Sequence, residues 1–325
     1  MIRAVRIHHT GGPEVLRFEA IDPGGPGPGQ ALVRHTAIGV NFIDTYHRSG
    51  LYPLPGLPHG IGMEGAGIVD ETGPEVTVVK PGDRVAYAAG PPGSYSEARV
   101  IAADRLVPLP AGIDDRAAAA MTLKGMTVEY LIRRAFRVEP GMTVLWHAAA
   151  GGVGLIACQW LRHLGATVIG TVGSDDKAAL ARAHGCAHTI VYTREEVAPR
   201  VRAITSGQGV PVVYDSVGRA TFDVSLDCLA RRGTLVGFGN ASGAPAPFDP
   251  LTLSRKGSLY LTRPTLMDYT VTRDDLLGSA AALFDVVLRG AVRIEVRRTW
   301  PLREAAEAHR ALEARQTVGS SILLP

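Results

Sequence analysis

The segment Thr143 to Gly154, TVLWHAAAGGVG, constrains this chain more than any other. Thr143, Val144, Leu145 and Trp146 form a short apolar, partly β-branched run of the kind that buried parallel strands carry. Ala149-x-Gly151-x-x-Gly154 follows, and then apolar residues at helical spacing: Val153, Ile156, Ala157, Trp160, Leu161 and Leu164. Gly165 stands where a helix stop is preferred. Strand, glycine turn and helix in that order is the context of a dinucleotide-binding turn. Gly151 lets backbone amides approach a pyrophosphate, and Gly154 lets the helix lie close on its strand. The helix N-terminus adds N–H groups and partial positive charge for phosphate. Ala149 takes the place of the usual first glycine. The segment reads as a cofactor cradle, against the plainer reading of a tight strand–helix turn without a ligand.

A second domain is expected, because 325 residues exceed one ordinary core. Up to about residue 120 the chain reads as β-rich. Short runs (Ala4 to Ile7, Gln30 to Ala37, Gly67 to Asp70, Arg84 to Ala88, Ala98 to Ile101) are punctuated by GGP, DPGGPGPG, TGP, KPGD and AGPPG. That pattern suggests a small barrel or sandwich. Asn41 to Gly50 is a short helix with Asn41 as its cap, and Asp114 to Arg137 is helical around an alanine run. From Thr143 strands alternate with helices: strands at 143–147, 167–172, 188–191, 212–215, 234–238 and 258–261, with helices near 153–164, 175–184, 194–205 and 219–230. Six such strands predict a doubly wound parallel sheet with helices on both faces, an α/β class. Helices near 273–289 and 302–313 bracket a strand near Ile294 to Arg298, and this C-terminal part is expected to return to the first domain.

Composition excludes several functions. The net charge of +3 is small and no dense basic run exists, so nucleic acid is not expected as the main partner. No stretch approaches a membrane span, and MIRAVRIHHT has no apolar signal core. Cys158, Cys186 and Cys228 are odd in number and far apart, which fits reduced thiols in the cytoplasm. They show no CxxC spacing, and His8, His9, His35, His47 and His59 lack ligand spacing, so no metal site is expected.

The coenzyme's identity depends on the end of the second sheet strand. A fold that prefers NAD places an acid there to accept from the ribose 2′-OH. This chain has Gly173-Ser174-Asp175-Asp176-Lys177 instead. Small neutral residues with a cation one turn on favour a 2′-phosphate, hence NADPH. The other reading makes Asp175 and Asp176 first-turn helix acids, able to turn toward a ribose, and Lys177 a solvated charge. Tyr214-Asp215-Ser216-Val217-Gly218 and Gly237-Phe238-Gly239-Asn240 each follow an apolar strand on the same edge as the cradle, where open α/β sheets bind ligands.

GGPEVL at 11–16, NFIDTYHRSGLYP at 41–53, AAAGGVGLIACQW at 148–160, VVYDSVG at 212–218 and KGSLYLTRP at 256–264 together resemble quinone oxidoreductases. These form the zinc-independent, NADPH-dependent branch of the medium-chain dehydrogenase/reductases, which includes the zeta-crystallins. The resemblance spans essentially the whole chain. It implies a GroES-like catalytic domain built from both termini (1–123 and 267–325), a Rossmann domain over 124–266, and a homodimer. Zinc alcohol dehydrogenases of the superfamily carry Cys where this chain has Asn41, and Gly-His-Glu where it has Gly62-Met63-Glu64. Without that Lewis acid the substrate must accept electrons readily, as a quinone does.

The resemblance also implies site residues. Phe42, Ile43, Asp44, Thr45, Tyr46, Thr127 and Tyr130 would border the nicotinamide end, and Gly152 and Val153 would meet the pyrophosphate. Gly173, Ser174, Lys177 and Tyr192 would surround the adenosine ribose and its 2′-phosphate. Val217, Phe238, Gly239, Asn240, Ala241, Arg263, Pro264 and Thr265 would line the remaining edge, with Arg315 reaching back from the C-terminal segment. Asn41, Tyr46, Tyr52 and Thr127 would face the reacting ring, and Tyr46 or Tyr52 could donate to a quinone oxygen. Reduction by hydride, or one electron at a time, is the expected activity. The alternatives are reduction of enals or enones, and a non-catalytic NADPH-binding or RNA-binding protein such as zeta-crystallins can be.

Overall fold

The computed structural model describes residues 1–88 and 90–325 and divides them into two units. One comprises Met1–Met126, Thr270–Leu288 and Ile294–Pro325; the other comprises Thr127–Tyr269 and Arg289–Arg293.

The second unit is built on a parallel sheet in the spatial order His188–Val191, Thr167–Val172, Thr143–Trp146, Val210–Asp215, Leu229–Gly237, Tyr260–Thr262. Third, second, first, fourth, fifth, sixth is the doubly wound order expected from the alternation, and its direction reverses between the first and fourth strands. Leu145, Ile169, Ile190, Val213 and Leu235 from five of these strands are at most 1 % exposed. Such two-sided burial is why the strands read as apolar runs rather than alternating ones. Helices Gly152–His163, Asp175–Ala183, Val197–Ile204 and Phe222–Cys228 make the crossovers. The last strand starts two residues later than the sequence suggests, because Ser258 has φ +56° and cannot extend a strand.

The first unit holds a longer antiparallel arrangement. Gln30–Val40 is its spine, with Glu64–Thr72 on one side and Ala98–Ala102 and Ser320–Leu324 also pairing with it. The C-terminal strand Ser320–Leu324, absent from the sequence reading, pairs in parallel with Val296–Pro301 and places Ile322 opposite Gly39. The C-terminal segment thus returns to the N-terminal part through backbone hydrogen bonds. Arg17–Ile21, Ile2–Ile7 and His59–Gly60 form a separate small sheet. The expected helix at 302–313 is a 3₁₀ turn, Leu302–Glu304, followed by the helix Ala305–Glu313. The helix begun at Asp115 ends at Tyr130 and passes into a π-helical turn, Leu131–Ala135. Asn41 caps Phe42–Ser49, which stops at Gly50 with φ +85°, a value that favours glycine.

Candidate functional site

The glycine turn takes the form the sequence demands. Gly151 caps the helix Gly152–His163 with no side-chain cap bond among the described residues, and no acid lies in the first turn. A phosphate would therefore meet backbone N–H groups and the positive end of the helix without competition. A Cβ at Gly154 would fall 2.5 Å from Ala148 O and 2.6 Å from Ala149 O, so only glycine lets the helix pack this closely. Ala149 in place of glycine is accommodated by the neighbouring strand: a Cβ at Gly170 would lie 2.6 Å from the Ala149 methyl. The missing glycine of the motif is thus supplied across the sheet. The turn fits a dinucleotide pyrophosphate.

One strand over, the residues assigned to the adenosine end converge. Ser174 caps the helix Asp175–Ala183, its Oγ accepting from Lys177 N at 3.4 Å. Tyr192 follows the adjacent parallel strand, its N–H bonded to Val172 O at 3.1 Å. Its hydroxyl lies 2.8 Å from where a Gly173 Cβ would stand. Gly173, Ser174, Lys177 and Tyr192 therefore share one corner of the sheet edge. Asp175, which the sequence left able to turn toward a ribose, is held instead in a two-pronged pair by Arg194, at 2.6 and 2.5 Å. The guanidinium keeps that carboxyl below its usual range. Arg194 is a residue that the sequence reading missed.

The rest of the edge is equally connected. Asp215 ends its strand and accepts from Val217 N, Gly218 N, Thr221 Oγ1 and Ser225 Oγ, which fixes the following loop. Val217 O accepts from Ser242 N, and Ala241 N donates to Ser216 O, so Val217 and the 238–242 segment are knit together. Phe238 packs on Trp146 with ring centroids 5.5 Å apart. Thr262 pairs with Val236, which sets Arg263, Pro264 and Thr265 beside Gly237 and Phe238. Beneath this edge His147 bridges Thr171 Oγ1 (2.9 Å) and Ser225 Oγ (3.0 Å), kept neutral by burial. Thr127 is buried, and Tyr130 stacks on Tyr269 at 4.4 Å.

In the first unit the Asn41 neighbourhood is a buried polar network. Asn41 Nδ2 donates to Glu64 Oε2 at 2.8 Å, Leu123 N donates to Glu64 Oε1 at 2.7 Å, and Lys124 Nζ reaches Glu64 Oε2 at 3.2 Å. Glu64 is wholly buried. Asn41 N and Tyr95 Oη both donate to Asp44 Oδ2, at 2.8 and 2.9 Å, while Asp44 Oδ1 has no hydrogen-bond partner among the described residues. Burial raises the Asp44 carboxyl to about 7 against those two bonds. His309 Nε2 lies 3.0 Å from Tyr95 Oη, and Arg48 donates to His309 Nδ1 and to Glu313. Burial first, then Arg48, lowers His309 to about 3. Phe42, Tyr46 and Tyr52 form an aromatic row with centroids 6.5 and 5.2 Å apart. Ile43 is half-buried and Thr45 donates to Phe42 O at 2.7 Å. Arg315 follows the helix Ala305–Glu313 with φ +57°.

Among the described residues no three His, Cys, Asp or Glu side chains converge as metal ligands, and no helix is long and apolar enough to cross a membrane.

Comparison with known proteins adds three kinds of likeness. Residues 27–111 match the alcohol dehydrogenase GroES-like domain, and residues 152–275 match the zinc-binding dehydrogenase family. The chain is 55 % identical to quinone oxidoreductase of Pseudomonas aeruginosa, over all of both chains. It superposes on the crystal structure of Escherichia coli quinone oxidoreductase complexed with NADPH with a TM-score of 0.98 and 48 % identity, covering 99 % of this chain and 100 % of that one. It is also 47 % identical to 2-haloacrylate reductase of a Burkholderia species, covering 100 % of this chain and 99 % of that protein.

Proposed function

The chain belongs to the quinone oxidoreductase family, and on that premise we propose that it is an NADPH-dependent reductase whose acceptors are quinones. The observation that carries this reading is the helix start at Gly152, with no side-chain cap bond and no acid in its first turn, lying on the same sheet edge as the Gly173–Ser174–Lys177–Tyr192 corner. An edge so arranged suits a pyrophosphate followed by a phosphorylated ribose.

When bound, the reduced nicotinamide supplies a hydride, and the chain supplies orientation and dry surroundings. Gly152 and Val153 offer N–H groups to the pyrophosphate. Lys177, Ser174 and Tyr192 hold the 2′-phosphate beside Gly173. Val217, Phe238 to Ala241 and Arg263 to Thr265 flank the rest, and Arg315 is assigned to the same coenzyme. Residues Asn41 to Tyr46, Thr127 and Tyr130 serve the nicotinamide end. In this assignment 124–266 is the coenzyme domain, and 1–123 with 267–325 is the substrate domain. Tyr46 or Tyr52 donates to a quinone oxygen as negative charge develops, a bond worth roughly 2–4 kcal/mol by comparison with oxyanion donors. Asn41 and Met63 stand at the two positions where zinc relatives carry Cys and His, and neither side chain is a usual zinc ligand. The three buried free thiols suit a reducing cytoplasm. The edge strand Tyr260–Thr262 exposes Tyr260 (61 %) and Leu261 (38 %), a surface suited to pairing with a second copy in a homodimer.

Activated alkenes are the second reading, favoured by the 2-haloacrylate reductase likeness. Following NADPH oxidation with 1,2-naphthoquinone, an enone and a 2-haloacrylate in parallel tests both. Turnover fastest on the quinone is expected. Tight NADPH binding with no turnover on any of the three would reduce the chain to a coenzyme-binding protein.

A further inference from the structure

We propose that Arg194 is a coenzyme-selecting residue: it exchanges its Asp175 partner for the 2′-phosphate of the dinucleotide, and Asp175 holds it in place until then. The inference rests on the NADPH reading and concerns how the same site chooses between phosphorylated and unphosphorylated coenzyme.

Position comes from the fold. Val172 and Val191 are paired in adjacent parallel strands, so the chain leaves both strands at the same edge. Gly173-Ser174-Asp175 departs from one, and Tyr192-Thr193-Arg194 from the other. Thr193 Oγ1 donates to Gly173 O at 3.4 Å, and the Tyr192 hydroxyl lies against Gly173, so the two segments are in contact. Arg194 is fixed at its root by its N–H to Val191 O (3.0 Å), while its side chain is 57 % exposed.

The chemistry follows from the pairing. A carboxylate just past the second strand is the group that would accept from a ribose 2′-OH. Here both Asp175 oxygens are already bonded to the two terminal nitrogens of Arg194. The guanidinium fork matches a phosphate as well as it matches a carboxylate, and a 2′-phosphate carries more charge. The pair is exposed at both ends, 57 % and 68 %, so opening it costs little. Unphosphorylated coenzyme finds its usual acceptor occupied and offers the arginine nothing in return. Phosphorylated coenzyme releases the aspartate to water and takes the fork itself.

The test is binding, read by calorimetry with adenosine 2′,5′-bisphosphate and 5′-AMP as probes, and by fluorescence with NADPH and NADH. Arg194→Gln is expected to weaken the bisphosphate and NADPH about tenfold, as loss of a charged hydrogen-bonding partner does. It should also tighten NADH, because Asp175 becomes available to the 2′-OH. Asp175→Asn should tighten the bisphosphate and leave 5′-AMP no better bound. If Arg194→Gln leaves the NADPH to NADH ratio unchanged in a protein that still prefers NADPH, this inference fails and the coenzyme reading survives. If the unaltered protein binds neither NADPH nor the bisphosphate, the coenzyme reading itself fails. Both substitutions lie at exposed positions, so a variant that melts like the parent and keeps an unchanged ratio is decisive.

Discussion

Lys124→Met should expose how much the Asn41 network depends on one buried charge. Glu64 has no exposed surface and the Lys124 side chain is 6 % exposed, so water screens neither. Removing one member of a buried ion pair typically costs about 3–5 kcal/mol, because the other charge stays behind uncompensated. Two of the three Glu64 donors, Asn41 Nδ2 and Leu123 N, survive the substitution, which puts the expectation near the lower end, about 3 kcal/mol. For a unit of this size that lowers the melting temperature by roughly 6–12 °C. Methionine fills similar volume, so cavity formation adds little. Differential scanning calorimetry of Lys124→Met, and of Lys124→Met with Glu64→Gln, separates charge from packing. The double variant should recover most of the loss, since replacing both partners removes the stranded charge. A single variant that melts with the parent, or a double variant that melts below the single, would refute the argument.

Other expectations follow from the same geometry. Gly154→Ala forces its methyl onto the Ala148 and Ala149 carbonyls and should cost about 1–3 kcal/mol while weakening NADPH; unchanged NADPH affinity by fluorescence titration would speak against the cradle. Lys177→Ala should weaken NADPH about tenfold more than NADH, and equal losses in parallel titrations would count against a 2′-phosphate partner. Acid should destabilise the protein between pH 6.5 and 4. His35 (about 4), His309 (about 3) and His147, which burial also lowers, are held neutral in the fold and gain protons on unfolding, whereas Asp44 (about 7) holds a proton in the fold and loses it, leaving a net uptake of protons on unfolding. Urea midpoints should therefore fall by the equivalent of about 1.4 kcal/mol per pH unit or more, with a steeper fall in Asp44→Asn, and a flat profile would contradict the buried network.

What the sequence makes legible is local. The strand, turn and helix at 143–163, the six-strand alternation and the Asn41 cap all rest on residues within a few positions of one another, where period and turn chemistry suffice. The C-terminal strand Ser320–Leu324 escapes because its order comes from Gln30–Val40, almost three hundred residues away in the chain. Nothing in SSILL distinguishes a strand at the centre of a sheet from a frayed end.

The same distinction separates the two clusters of candidate residues, one in each unit. On the parallel sheet, the site residues fall at consecutive strand ends, so recognising the strands already ranks Gly173, Val217, Phe238 and Arg263 along one edge. Around Asn41 the partners are Glu64, Lys124, Tyr95 and His309, joined across sequence distances that no periodicity encodes. Ala149 shows why a motif alone misleads in either direction. Counted as a pattern it is a defect, yet Gly170 on the next strand makes room for its methyl, so the turn keeps its shape. Arg194 shows the converse: no pattern marks it, and its two-pronged contact with Asp175 appears only once two strand ends are set side by side.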